Sequence, residues 1–362
     1  VIIKNYKTGD DFTPSAVIID EDNDVHVGAD ARDALIEDNL NAVSEFKNNM
    51  GFPVPFKFQK ASRVMLPEEL SAEILKDLRI SVYRQFGVNM EHSVICVPAN
   101  SNPIKTKAVN DAANIAGFRS HSLILEPIAV ALAYGLKKSV NTNGIWIIYD
   151  LGGGTFNVSL IKDNNGEIEK IDTAGLDNLG GNVFDWAIID EIFAPKIIDD
   201  LGLEDFSRDN PKYRKAFAKL KTETEKAKKE LSIASTSDIF IVNLFDGYDF
   251  SYNLNRSEIR NIMEPYLETT FSITRNLLEE NALAEDDIDK IILAGGSCLS
   301  PIVKELLSLQ FTIGLEDSIN PLTVVAKGAA VYAGTLEKPQ FKFNPGDFSV
   351  IVTFADYGYC GR

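Results

Sequence analysis

The chain has 362 residues, 45% of them hydrophobic and 25% charged, a globular composition long enough for two domains or one large two-part unit. Its formal net charge of −17 disfavours nucleic acid and anionic membrane as main partners, and no apolar run reaches transmembrane length. Cys96, Cys298 and Cys360 are too far apart for a metal or disulfide framework, and with no signal peptide visible the expectation is a reducing compartment, the cytoplasm. His26, His92 and His121 fall in no ligand pattern.

Residues 1–28 read as short strands and turns, with Val1-Ile2-Ile3 and Ala16 to Ile19 as the strands. Residues 29–45 read as an acidic helix closing at Lys47 to Gly51, and 52–66, with Pro53 and Pro55, as irregular or edge strand. Leu70, Ile74, Leu78, Val82 and Phe86 recur every fourth residue behind Pro67, which predicts an amphipathic packing helix over 67–86. Strand 93–98, a helix from Pro103 to Ala116, strand 123–125 and a helix opened by Glu126 follow, an order that implies parallel strands in an α/β sheet.

The second half turns on residues 145–160. Ile145 to Tyr149 reads as a buried strand ended by Asp150, and Thr155 opens a run that alternates Phe156, Val158 and Leu160 against Asn157 and Ser159. Between them, Gly152, Gly153 and Gly154 allow positive φ and bring bare N–H groups against a ligand, while the neighbouring carboxylate suits a hydrated divalent cation. An ordinary tight hairpin beside an unrelated aspartate gives the same pattern. Beyond it lie a third strand, 167–172, helices over about 182–200 and 211–231, a hairpin at Asp246-Gly247, a helix over about 257–282, strand 291–293, a helix from Pro301 and a last helix over about 323–334.

Three weaker constellations accompany this turn. Gly295-Gly296-Ser297 joins a buried strand to a helix, and Gly180-Gly181 precedes another, so each offers a helix start to an anion or is simply a tight loop. Glu225, Lys228, Lys229 and Ser232 share one helix face, fit either to grip a ribose or to form a solvated salt-bridged surface. Lys47 near a helix end and Glu126 at a helix start each have a sufficient structural explanation.

Together, VICVPANSN (94–102), LILEPIAVALAYGL (123–136), YDLGGGTFNVSLI (149–161), TAGLDNLGGNVFD (173–185), EKAKKELS (225–232), ILAGGSCLSP (292–301) and NPLTVVAKGAAVYAG (320–334) resemble the nucleotide-binding domain of the 70-kilodalton heat-shock protein chaperones, over about residues 1–335. The resemblance implies an α/β, actin-like (ribonuclease-H-like) two-lobed ATPase with a central cleft for ATP or ADP and Mg²⁺. Lobe I would span 1–140, incomplete at its N-terminus. Lobe II would span 141–322, with a subdomain at about 182–260. A helix at 323–335 would cross back, and 336–362 would be a linker-like tail.

By resemblance Lys47 positions the attacking water, and Glu126 and Asp150 surround Mg²⁺ and that water. Gly152, Gly153, Gly154 and Thr155 hold phosphate, as do Gly180 and Gly181. Glu225, Lys228, Lys229 and Ser232, with Gly295, Gly296 and Ser297, hold the adenosine. Pro98 would couple nucleotide state to a peptide-binding domain. The implied partners are client proteins, reached through a peptide-binding domain absent from these residues, and co-chaperones or a nucleotide exchange factor.

The chain departs from the family pattern at several charged positions. The opening phosphate loop of lobe I is missing. Asn157 stands for an aspartate near the metal, Asn182 and Val183 for an acidic pair, Leu299 for an arginine that packs on adenine, and Leu322 for an aspartate near the purine. Thr106 and Ser122 replace two arginines of the interdomain surface. These losses favour, as an alternative, a pseudo-ATPase scaffold that acts through partner proteins. A filament protein or sugar kinase of the same superfamily is disfavoured by EKAKKELS and LILEPIAVALAYGL. In the tail, Phe348 to Val352 reads as a strand, placed like the first strand of a peptide-binding domain, and Asp356-Tyr357-Gly358 faintly echoes the missing loop.

Overall fold

The computed structural model describes residues 1–37, 40–137, 143–336 and 349–352. In chain order the elements are β1 (Ala16–Ile19), β2 (Val25–Val27), α1 (Ala29–Glu37), β3 (Ala42–Ser44), β4 (Phe56–Phe58), β5 (Arg63–Met65), α2 (Pro67–Phe86), β6 (His92–Val97), α3 (Pro103–Ile115), β7 (Ser120–Leu125) and α4 (Glu126–Lys137). Then come β8 (Gly144–Leu151), β9 (Thr155–Asn164), β10 (Glu167–Asp177), α5 (Gly181–Ile188), α6 (Ala194–Leu201), α7 (Arg214–Glu230), β11 (Thr236–Phe245), β12 (Tyr248–Asn255) and α8 (Arg256–Glu280). The last are β13 (Lys290–Ala294), α9 (Pro301–Gln310), β14 (Leu315–Glu316), α10 (Val324–Thr335) and β15 (Ser349–Val352).

This is a mixed α/β chain with several sheets. The largest runs β10-β9-β8-β13-β14, with β8, β13 and β14 parallel and the β8-β9-β10 meander antiparallel. Its central strands are apolar on both faces because helices cover both. On β8, Ile147, Tyr149 and Leu151 join the large core formed with α5 to α9, while Trp146 and Ile148 join Val130, Ala131 and Tyr134 of α4 and Val324 of α10. Strand alternation therefore aims the next residue of the second set, Asp150, towards the side occupied by α4, whose first residue is Glu126. α4 is held close by α10. A Cβ on Gly328 would lie 1.5 Å from the carbonyl oxygen of Ala129, so only glycine allows these helix backbones to touch.

Several expectations are corrected. Val1 to Ile3 form no strand; Ile3 instead packs on the core under α2 and α3. The helix expected over 29–45 ends at Glu37, and Ala42 to Ser44 become β3 because β1 offers a free antiparallel edge there. The helix over 182–200 is broken by a π-turn at Ile189–Phe193, just ahead of Pro195, which has no N–H to continue the α-helical ladder.

The tail strand is present: β15 pairs in parallel with β6, setting Val350 against Ser93, and extends the β15-β6-β7 sheet. The lobe boundary at 140/141, and Asp356-Tyr357-Gly358, lie outside the described residues.

Candidate functional site

Three elements bring the first charged group together. Asp150, the last residue but one of β8, lies opposite Ala294 and Asn157, and Glu126 starts α4 where β7 stops. Lys47 sits in a 3-10 turn, Phe46–Asn49, anchored by the fully buried Phe46. Its Nζ lies 3.8 Å from Glu126 Oε1, and both side chains are largely enclosed. Burial pushes the Asp150 carboxyl up to about 7, Glu126 adds to the rise, and Lys47 opposes it. The same wall raises the buried Cys96 thiol, through burial first and Glu126 second. The site thus carries two mutually repelling carboxylates with one lysine between them.

The glycine segments interlock. Gly152 N–H donates to Thr155 O at 3.0 Å, closing the turn between β8 and β9. Gly152 O accepts from Gly181 N–H at 3.1 Å and from Ser297 Oγ at 2.8 Å, and Gly153 O accepts from Asn182 N–H at 2.8 Å. A Cβ on Gly180 would sit 2.7 Å from the carbonyl oxygens of Gly152 and Gly153, which explains the glycine. Gly295, at φ +84, is required twice over, because a Cβ there would lie 2.3 Å from Leu151 O. Val183 and Phe184 N–H both donate to Gly180 O, so the start of α5 has already used its first donors. Positive charge at that helix start comes from Lys228, whose Nζ donates to Gly181 O at 2.7 Å.

The face of α7 differs from a solvated one. Lys221 and Asp185 side chains are 0% and 1% exposed and lie 3.0 Å apart. Lys228 Nζ reaches the other oxygen of Asp185 at 2.5 Å, and Lys221 also donates to Asn182 Oδ1 at 3.1 Å. Asn182 Nδ2 in turn donates to Glu45 Oε1 at 2.7 Å, tying α5 to the turn that carries Lys47. Burial lowers the Lys228 pKa and Lys221 lowers it further, against Asp185. Glu225 is also buried and pairs with the exposed Lys229 at 2.5 Å.

These groups line one cavity of about 720 Å³, a size that suits a nucleotide. Of the residues singled out from sequence, Lys47, Glu126, Asp150, Gly152, Gly153, Thr155, Gly181, Glu225, Lys228, Lys229, Ser232, Gly295, Gly296 and Ser297 line it, whereas Gly154 and Gly180 do not. Sequence reasoning missed Asp185, the anion that holds both lysines, and Phe12, Ile233 and Met263, which also line it. Lys221 escaped as well, although it lies one turn before Glu225 on the same stripe. A second cavity of about 670 Å³ shares Lys47 and Thr155 with the first, and Asn157 faces into it.

The carboxylate pair fits a Mg²⁺-type cation, which is held by one or two carboxylates together with waters and substrate phosphates. Among the described residues no cluster of three or more His, Cys, Asp or Glu offers a protein-only cage. No helix among them is long and apolar enough to cross a membrane. The family model for the Hsp70 protein matches residues 1–345, and the chain belongs to the Hsp70 family.

Proposed function

We propose that this chain is the nucleotide-binding domain of a chaperone of the 70-kilodalton heat-shock type, an actin-like, two-lobed ATPase that takes ATP or ADP with Mg²⁺ in its central cleft. The observation that carries the reading is the convergence of Lys47, Asp150, Gly152, Lys228, Gly295 and Ser297, from four separate segments, on one nucleotide-sized cavity. Asp150 and Glu126 would hold the cation through water, and the ion would supply neutralisation of phosphate charge. A cation would also offset the burial and, after it, the repulsion from Glu126 that raise the Asp150 carboxyl. Lys47, 3.8 Å from Glu126, would orient a water towards the terminal phosphate. Thr155 and the glycine turn would line the phosphates, and Lys228 adds charge to that wall. Clients, co-chaperones and an exchange factor would act on the nucleotide state through further domains, in the cytoplasm.

A second reading, a nucleotide-binding scaffold without turnover, has one observation in its favour: the residue paired directly across from Asp150 is the neutral Asn157. The test is thermal melting with and without Mg²⁺ and ADP, followed by single-turnover hydrolysis of ATP. Ligand at 100 times its dissociation constant adds about 2.7 kcal/mol of stability. A Mg²⁺-dependent rise in Tm supports the cleft, and a folded sample that shows none rejects it. Lys47→Ala should slow the single turnover with little change in ADP affinity; equal loss of both would make Lys47 a structural residue.

A further inference from the structure

Glu45 and Asn182 come from distant parts of the chain and meet beside the cavity. Glu45 follows β3 and precedes the 3-10 turn Phe46–Asn49, which carries Lys47, whereas Asn182 stands in the first turn of α5. Asn182 Nδ2 donates to Glu45 Oε1 at 2.7 Å across 137 residues of sequence. Gly154 lies beside the contact: a Cβ there would come within 4.0 Å of both Asn182 Nδ2 and Asn48 Nδ2. The bond therefore sits where the Lys47 turn, the glycine turn and α5 converge.

Both ends of the Asn182 amide are committed. Its Oδ1 accepts from Lys221 Nζ at 3.1 Å, its Nδ2 donates to Glu45, and its backbone N–H donates to Gly153 O. A lysine only donates and an ionised carboxylate only accepts, so the amide has a single allowed orientation. Asn182 is 7% exposed, which shields the bond from water and strengthens it. Glu45 holds a left-handed backbone, φ 57 and ψ 13, which a residue other than glycine keeps only where its surroundings impose it. Its carbonyl accepts from Asn48 N–H at 3.1 Å and closes the turn around Lys47. Asn182, a lost charge by comparison with the family pattern, is here the donor half of a pair whose carboxylate comes from Glu45.

Resting on the nucleotide reading, we propose that Asn182 is a positioning residue. With Glu45 it forms a latch that holds the Phe46–Asn49 turn, and so Lys47, in place against the glycine turn. It acts on the reaction through Lys47.

The test uses the full chain carrying Asn182→Asp, alone and together with Glu45→Gln. Asn182→Asp keeps the size of the side chain and its acceptor for Lys221. Lys221 and Lys228 already share the single carboxylate of Asp185, so a second anion beside them keeps the fold. Towards Glu45 the new carboxylate is a like charge and opens the latch. In the double variant the new amide at position 45 donates to the new carboxylate at 182, and the latch closes again. Amide exchange at residues 45–50 should quicken about tenfold in Asn182→Asp and return in the double variant. Single-turnover hydrolysis of ATP with Mg²⁺ should slow by up to about a hundredfold and recover in the same way, while ADP affinity stays unchanged. Exchange at 45–50 that Asn182→Asp leaves unaltered, or a double variant that recovers nothing, overturns the latch. An equal fall in turnover and in ADP affinity makes Asn182 part of the general framework and overturns its positioning role. A folded wild type that binds no ADP with Mg²⁺ removes the nucleotide reading and the role in the reaction with it, while exchange at 45–50 still decides the latch.

Discussion

At the Asp150 end of the cavity the charges are buried and answer one another: Lys47 against Glu126, and Lys221 and Lys228 against Asp185. At the Leu299 end Ile233 and Leu299 are apolar and exposed, and Leu322 is half-buried. The first arrangement fixes geometry, because removing one partner leaves a charge stranded in a low-dielectric wall. The second supplies surface for a flat ring but little directional information. One end therefore governs both stability and chemistry, while the other tunes affinity alone.

The largest effect that would sharpen this contrast is expected from Asp185→Ala. It strands the fully buried Lys221, and loss of one member of a buried pair costs about 3–5 kcal/mol. The denaturation midpoint should fall steeply, and replacing Lys221 by Met in the same chain should restore most of it. A midpoint unchanged by Asp185→Ala would mean that this network holds nothing.

Asp150→Asn should act in the opposite sense on stability. The folded-state pKa is raised from 3.8 to about 7, so the Asp150 contribution is fully present below about pH 4 and is lost as pH rises through 7. Asp77, buried and raised to about 6, adds to the same trend. The ligand-free mutant should match the wild type near pH 4 and exceed it in stability at pH 8, with ATP turnover lost. A mutant less stable at pH 8 would contradict the burial of this charge.

Gly295→Ala should cost about 1–3 kcal/mol or more, since it combines a left-handed backbone with a collision against Leu151 O. The smallest stability change belongs to the other end: Leu299→Ala should stay within about 0.5 kcal/mol of the wild type, while nucleotide affinity falls several-fold. A large loss of stability there would erase the distinction between the two ends.

How much of this was legible beforehand varied with the kind of signal. Strands β6 to β9, the β11–β12 hairpin and the long helices follow from apolar period and from Pro and Gly punctuation, and the structure keeps them within a few residues. The glycine turns were readable because close backbone approach at Gly180 and Gly295 admits nothing larger.

β3 and the irregular start of the chain were not readable, because what decides them is pairing with β1 and packing under α2, both distant in sequence. The depth of Lys221 and Lys228 was hidden for a similar reason. A helix stripe of charges looks solvated until α5 supplies Asp185 to bury it. Ile233 and Met263 carry no pattern at all, and only the walls of the cavity single them out.

The most direct measurement is amide hydrogen exchange of the chain with and without Mg²⁺ and ADP. Protection should gather at residues 150–155, 180–183, 225–233 and 295–299, the segments that meet at the cavity, and leave the outer strands of the β11–β12 hairpin unchanged. Protection gathered elsewhere, or none in a folded sample, would contradict the assignment of this cavity as the nucleotide cleft.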